Sequence, residues 1–348
     1  MYVAMKNPYK LLLWIGVALL FLTIVGVGAF YRFTKQPAFN ISSDRSVRIY
    51  VYPGASWSDV LDSIAATTDA PLLCDLRLHL RLRANGSPSV GSYTIEPKMT
   101  VQALYNRLVY GMQTPISLYF TSYRLPSQLY RRLGSQLMID SVEVARAMND
   151  SVLLHSLNVL DTTLVYYVLP NTYEVYWDIT SNDLIRKLAG ESRKFWNTHR
   201  KAKADSLGLS PYEVITLASI VQEESAKVDE YPMIAKLYLN RLKIGMPLQA
   251  DPTIKFALKD FGLRRIRHNH LKVDSPYNTY TNKGLPIGPI RIPTTEAIDG
   301  VLNASDHSYL YMCAKEDFSG YHNFASTYSE HQKNAGKYVA ALNDRGIN

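Results

Sequence analysis

The twenty residues from Leu11 to Phe30 contain no charge. A run of that length and composition leaves a chain two fates, a helix that crosses a bilayer or a signal peptide that is removed. It is longer than the apolar centre of an ordinary signal peptide and no small-x-small cleavage site comes after it, which favours an uncleaved anchor within residues 1–34 behind a short cytoplasmic tail. A buried core helix is the weaker reading at this length and position. Lys6 and Lys10 precede the run while Arg32 and Lys35 come after it, so basic residues do not fix its orientation. An N-terminal anchor joined to one long domain ordinarily exports that domain, and membrane lipid is an expected partner.

Beyond the anchor there is room for two or three compact domains, since the chain has 348 residues, 47% of them hydrophobic. A net charge of +8 suits an anionic partner such as lipid head groups or an acidic polymer. Nucleic acid is not expected, because no Lys/Arg run is interleaved with aromatics and no binding motif appears. The 25 tyrosines suit sugar faces, although most tyrosines simply pack with the tip wet. With only Cys74 and Cys313, a disulfide framework and an all-cysteine metal site are both excluded. Both cysteines lie in apolar runs and read as free buried thiols rather than one bridge, and so few are compatible with an extracytoplasmic compartment.

Residues 35–45 read as a polar tether, after which a strand–turn–helix unit recurs. Val47-Arg-Ile-Tyr-Val-Tyr52 leads into a helix from Trp57. Ser92-Tyr-Thr-Ile95 leads into one from Val101, and Ile116-Ser-Leu-Tyr-Phe120 into one from Pro126. The first two units, with a helix over 72–83 between them, make a βααβ module spanning 46–114. A helical stretch over 128–158 and a basic helix over 182–203, whose charges read as a solvated face, fill an α/β connecting region over 115–204. The expected fold class is α+β, with the chemistry carried by a mixed domain over 205–348.

That last part opens with a helix that declares its own start. Ser210-Pro-Tyr-Glu213 is a capping box with Pro211 at the first helical position, and the helix is expected to run to about Ser225. At about 100° per residue, Leu217, Ile220, Val221 and Glu224 share one sector, whereas Gln222 and Glu223 point well away from it. Glu224 thus lies on the apolar stripe. A carboxyl group held against Leu and Ile has its pKa raised, which suits it to donate a proton near neutral pH. The plainer alternative is a charge network at a helix end, but a Glu on a core-facing stripe rarely lacks a partner or a role. Glu223 is expected in solvent.

Residues 217–253 are succeeded by Tyr277-Asn-Thr-Tyr280, Gly284-Leu-Pro-Ile-Gly-Pro-Ile290 and Gly320-Tyr-His-Asn-Phe324 through Glu330-His331. Together these ordered motifs closely resemble the MltG (YceG-like) endolytic peptidoglycan transglycosylases of the bacterial envelope, and a looser similarity extends over most of the chain. In that family the helix typically reads Ile-Val-Glu-x-Glu-Thr, the second Glu being catalytic. Here the first is Gln222 and the second Glu224, so the catalytic role carries over to Glu224 alone, with Ser225 keeping the hydroxyl of the Thr. The stretch Tyr167-Val-Leu-Pro-Asn-Thr-Tyr173 is similar to a family segment reading Glu-Gly-Tyr-Leu-Phe-Pro-Asp-Thr-Tyr. Pro170, Thr172 and Tyr173 match; Asn171 replaces the Asp and the Glu-Gly pair is absent, so roles tied to those acids do not carry over. The resemblance implies a LysM-like module at 46–114 and a single-pass protein of the bacterial inner membrane with its catalytic domain on the extracytoplasmic side. It also implies nascent peptidoglycan glycan strands as substrate, with peptidoglycan synthases or divisome proteins as candidate partners. The family's residues and the residue types together make Gln249, Tyr277, Asn278 and Tyr280 candidate hydrogen-bonding groups for the sugar. Gly288, within Gly284–Pro289, would let backbone approach it closely, and His322 and His331 would organise the C-terminal part of the cleft.

Most glycosidases use two carboxylates, one as acid and one as nucleophile or base. Asp251 is the nearby second candidate, although an Asp before Pro also makes a natural turn or helix N-cap. One Glu suffices if the C6 hydroxyl of N-acetylmuramic acid attacks its own C1, giving a 1,6-anhydro end, with Glu224 as acid and then base. The rivals are a hydrolytic muramidase with Asp251 as base and a silent glycan-binding scaffold. No cofactor and no metal are expected. His268, His270, His307, His322 and His331 form no His-Glu-x-x-His motif, and neither a G-x-S-x-G elbow nor a phosphate-binding glycine loop occurs.

Overall fold

The computed structural model describes residues 8–37, 46–68, 76–77, 86–157, 164–263 and 265–346. Cys74 and most of the helix expected at 72–83 lie outside them. The chain divides into two compact units, Met1–Ser117 with Glu174–Asp178, and Leu118–Tyr173 with Ile179–Asn348. Both mix helices with short strands, as expected of an α+β chain.

The first unit begins with a helix over Pro8–Lys35, the one helix among the described residues long and apolar enough to cross a membrane. Its apolar window has a mean hydropathy of 2.6 and is unburied. The single hydroxyl in the uncharged run, Thr23, donates to the carbonyl of Leu19 at 2.8 Å, so it needs no outside partner. The helix continues through Lys35, where a tether was expected to start. Phe33 packs against this unit's core and Pro37 bridges to Thr100.

Strand β1 (Val47–Val51) pairs antiparallel with β2 (Gly91–Ile95), Val47 facing Ile95. Alternation along β1 buries Ile49 and Val51 and turns Tyr50 outward. The helices Trp57–Thr67 and Val101–Val109 close the core with Ile64, Leu104 and Leu108, each starting on a hydroxyl cap, Ser56 and Thr100. On the outer face Tyr50 and Tyr52 meet Trp177 at 4.8 and 4.9 Å between ring centroids. Two short strands, β3 (Ile116–Phe120) and β4 (Asn171–Val175), lie where the chain passes from one unit to the other.

In the second unit, local caps cut two expected helices into shorter ones. The stretch expected over 128–158 becomes Pro126–Gly134, Ser141–Met148 and Ser151–Ser156, with Asp140 and Asp150 as new N-caps. The basic stretch breaks at Trp196 into Ser181–Phe195 and Thr198–Ser206, because Asn197 caps the second helix. Nor is its charged face merely solvated. Arg200 forms two bonds of 2.8 and 2.9 Å to Asp299 and lies 4.0 Å over the ring of Phe195.

The helix Pro211–Glu224 starts at the capping box of Ser210 and Glu213, and every residue from Val214 to Val221 is buried. A single apolar stripe was expected. Instead the helix is enclosed by its neighbours, chiefly Tyr231–Lys243, Asp251–Leu258 and Thr295–Leu302. Its two core hydroxyls are satisfied internally, Thr216 donating to the Tyr212 carbonyl and Ser219 to that of Thr216. Ser219 also accepts from the Ile290 amide. Strands β5 (Tyr311–Ala314) and β6 (His322–Ala325) form an antiparallel hairpin, succeeded by the helix Tyr328–Asp344, which has no fully buried residue.

One glycine sets how closely two of these helices approach. A Cβ on Gly300 would lie 2.6 Å from the Cβ of Tyr231, at the start of the helix Tyr231–Lys243. Gly300→Ala should therefore lower stability by about 1–3 kcal/mol, overpacking outweighing the roughly 1 kcal/mol that Ala gains over Gly in a helix. The denaturant midpoint measures this, and a variant at least as stable as the parent would contradict so tight an approach.

Candidate active site

The buried helix delivers Glu224 to its last position, where Ser225 turns into extended backbone. Glu224 is half-buried and lines a pocket of about 520 Å³, counting its open mouth, with Ser225, Lys315, Phe318, Tyr321 and His322. Its Oε1 accepts a 2.6 Å hydrogen bond from the hydroxyl of Tyr238. Tyr238 is buried in the facing helix, and burial together with the neighbouring Glu224 holds its phenol well above the ordinary range. The Glu224 carboxyl is pushed up to about 7, chiefly by burial. The Tyr238 hydrogen bond and the Arg241 cation oppose that rise, while the charges of Asp251 and Glu223 add to it. A proton donor with this pKa changes state in the pH range where proton transfer is most effective.

Arg241, one turn beyond Tyr238, is buried and holds the surroundings in place. Its Nε donates to the Leu310 carbonyl at 2.6 Å and its Nη1 to that of Leu248 at 2.5 Å. The first bond fastens the approach to β5, the second the loop before Asp251. Glu230 does the same for β6, accepting from the His322 amide at 2.8 Å, from its Nδ1 at 2.9 Å and from the Ser225 hydroxyl at 2.9 Å. Tyr238 and Arg241 lie inside the motif that carried the resemblance, but residue type alone gave them no role. Glu230 lies inside the same stretch, and its one sequence signal was an acid six residues after Glu224.

Glu223 corrects the sequence reading. It is not in solvent but 11% exposed, bound by Arg124 through Nε at 2.7 Å and Nη2 at 2.8 Å and by Arg291 through Nη1 at 2.9 Å. Because the helix is buried all round, the side opposite its apolar stripe faces another part of the protein. Removing this charge would leave the half-buried Arg291 without its counter-ion.

Asp251 is also placed differently from a cap. Ala250 is the N-cap of Asp251–Leu258 and Asp251 stands at the first helical position, exposed, its Oδ1 accepting from the Tyr280 hydroxyl at 2.5 Å. Burial and the Asp251 bond hold the Tyr280 phenol far above its usual range. Thr279 stitches the two segments together, its carbonyl accepting from the Gln249 amide and its hydroxyl from the Ala250 amide. This leaves Gln249 exposed at φ +51°, a strained conformation for a non-glycine residue.

The structure thus gathers Glu224 with His322 on one pocket and holds Asp251 with Tyr280 within electrostatic reach of Glu224. Three other candidates are occupied elsewhere. Asn278 is fully buried, donating to the carbonyls of Leu271 and Val273 and accepting from the Tyr280 amide, so it shapes the loop and has no free group for a sugar. Gly288 is buried, and a Cβ there would lie 2.5 Å from the Tyr212 hydroxyl, so its small size serves packing. Tyr277 packs its ring against Phe256 at 4.7 Å. His331 stacks on Tyr311 beside β5, and Cys313 is a half-buried free thiol on the same strand. Among the described residues no three His, Cys, Asp or Glu side chains converge as metal ligands.

The YceG-like family model matches residues 49–337. The endolytic murein transglycosylase of Bacillus subtilis (strain 168) is 34% identical over 183 residues, 51% of this chain and 49% of that protein. The endolytic murein transglycosylase of Streptococcus pneumoniae serotype 2 (strain D39 / NCTC 7466) is 31% identical over 195 residues, 54% of this chain and 35% of that protein. The matched part therefore spans half or less of each relative. The crystal structure of a yceG-like protein from Listeria monocytogenes superposes with a TM-score of 0.56 at 23% identity, covering 84% of this chain and 99% of that one, a likeness of fold.

A carboxyl whose folded pKa lies above its unfolded value of 4.5 costs stability as pH rises from 4.5 to about 7, and the cost persists above that. Glu224→Gln keeps the shape and is neutral throughout. It should stabilise the protein at pH 8, by on the order of 3 kcal/mol, and change little at pH 4. Denaturation at the two pH values tests this, and equal effects at both would contradict the assignment.

Proposed function

The chain belongs to the YceG-like family, and from that premise we propose that it cuts peptidoglycan glycan strands endolytically between N-acetylmuramic acid and N-acetylglucosamine, leaving 1,6-anhydro-N-acetylmuramic acid ends. The observation that carries this reading is the Glu224 carboxyl, hydrogen-bonded to Tyr238 at 2.6 Å, raised to about 7 and facing a pocket. In the proposed reaction protonated Glu224 gives its proton to the departing O4 as the C1–O4 bond breaks. The C6 hydroxyl of the same muramic ring then bonds to the oxocarbenium-like C1, and its proton passes to the Glu224 carboxylate, restoring the acid. Tyr238 positions the carboxyl. Tyr280, Gln249 and His322 are the candidate groups left facing the substrate.

We place a LysM-like module at 46–114, to which the antiparallel β1–β2 pair with its two helices lends support. The catalytic domain is assigned to 205–348, with the helix Pro8–Lys35 as a membrane anchor holding it on the extracytoplasmic side. The names of the two relatives support murein as substrate.

A second reading has its own observation. Asp251 is an exposed carboxylate held by Tyr280 and near enough to Glu224 to raise it, which is what a hydrolytic muramidase needs as base for water. The products separate the two. Cleavage in ¹⁸O-water should place no label at C1, and Glu224→Gln should lose about 10²–10⁴-fold in turnover while Asp251→Asn loses far less. Label at C1 with an inactive Asp251→Asn would establish the hydrolytic mechanism instead. Turnover should fall as pH rises through about 7. Tyr238→Phe, by removing the bond that favours the carboxylate, should move that alkaline limb upward; a limb that stays or moves down would remove Tyr238 from its positioning role.

A further inference from the structure

Beside the candidate active site is a second, smaller pocket of about 340 Å³ counting its open mouth, lined by Arg124, Glu223, Pro252, Lys255, Phe256 and Phe261 among others. Each of two walls lies one residue from a candidate carboxylate, since Glu223 precedes Glu224 and Pro252 comes after Asp251. The two pockets thus flank the same helix end, Glu224 lining one and Glu223 the other.

Charge in this pocket is unbalanced. Glu223 is the one carboxylate, and it is already engaged by Arg124 and by Arg291 behind it. Arg291 also donates from Nε to Ser122 at 2.7 Å. Arg124 is 42% exposed, lies 5.3 Å over the ring of Phe261 and has no acceptor for its Nη1 among the described residues. Lys255 is half-buried on the helix Asp251–Leu258 and has no ion-pair partner among the described residues. Arg124 and Lys255 thus share the pocket wall with one carboxylate, which Arg291 engages as well, and the two free donor groups belong to residues on that wall. Nothing in the chemistry of bond cleavage uses them. A guanidinium fixed by Glu223 and lying over a phenyl ring, with an ammonium-bearing side chain on the same pocket wall, matches a small planar anion.

We propose that the pocket between Arg124 and Lys255 is a subsite for a carboxylate carried by the glycan strand, so that the protein distinguishes charged strands from neutral ones. The proposal rests on the reading of the substrate as peptidoglycan. Two parts of that polymer bear such a group: the peptides attached to the muramic residues, and the lactyl carboxylate exposed once the peptides are removed.

The test reads binding, so it does not depend on cleavage. Fluorescently labelled strands are titrated with the full chain in detergent carrying Glu224→Gln, with and without Lys255→Met. Four strands are compared: native, stripped of peptides by an amidase, and each of these after carbodiimide amidation of its carboxyls with ammonia. Loss of one charge-assisted contact should raise Kd about 10-fold on an unamidated strand and leave the ratio near one on its amidated form. An effect on native strands alone assigns the pocket to peptide carboxylates, and one on stripped strands alone to the lactyl group; both support the subsite. Equal loss on charged and amidated strands, or no loss on any, overturns it. Strands bound in this charge-dependent way but left uncut by the unmodified chain would sink the catalytic reading and leave the subsite standing.

Discussion

The second unit is arranged around the problem of keeping a protonatable carboxyl in a half-buried place. Glu224 ends a helix whose preceding residues, Val214 to Val221, are all buried, so its carboxyl emerges where packing stops and the cleft begins. Left alone there, an ionised carboxylate would be strongly disfavoured. Tyr238 and Arg241 temper that cost without cancelling it, which leaves the group raised to about 7. A stronger donor would make it a permanent anion with no proton to give. Without these donors its pKa would rise further and the carboxyl would give up its proton less readily.

The surrounding architecture derives from holding that balance. Tyr238 and Arg241 lie one turn apart on the facing helix, so one rigid element supplies the hydrogen bond, the cation and the ties to Leu248 and Leu310. Glu230 ties the other rim to the same helix end through Ser225 and His322. The rims of the cleft are thus fastened by charge-assisted bonds to buried groups, which hold geometry better than exposed pairs do. The Tyr328–Asp344 helix, with no fully buried residue, is held less firmly by packing.

Sequence reading captured the features that local rules govern. The capping box at Ser210 set the start of the helix, as found, whereas the single apolar stripe that periodicity drew through Glu224 is replaced by burial on every side. The three strand–turn–helix units, the apolar N-terminal helix and the mixed fold also appear at their expected places. Misplaced residues have partners far away in the chain. Glu223 is separated from Arg124 by 99 residues and from Arg291 by 68, and no helical wheel contains that information. Asn278 failed for a different reason. Its residue type suits a sugar as well as it suits the Leu271 and Val273 carbonyls, and only the fold of the loop decides between them. The helix breaks at Asn197 and Asp140 were legible in principle, since both are strong N-capping residues, but a continuous polar or amphipathic run concealed them.

Glu223 and Glu224 show how one helix end can serve two purposes. Successive residues diverge by about 100° around a helix, so adjacent carboxylates can face environments with opposite effects. Glu223 meets two guanidiniums and pairs with both, while Glu224 meets a phenol and lines the pocket, its carboxyl raised to about 7. The first is tied up in ion pairs, and it fixes Arg124 and Arg291 in turn. The second is mobile charge. The negative field of Glu223 also adds to the rise at Glu224, so the anion that anchors the basic pocket helps to keep the neighbouring acid protonated. Neutralising Glu223 would therefore disturb both, loosening the arginines and lowering the Glu224 pKa, although the residue touches no reacting atom in the proposed mechanism.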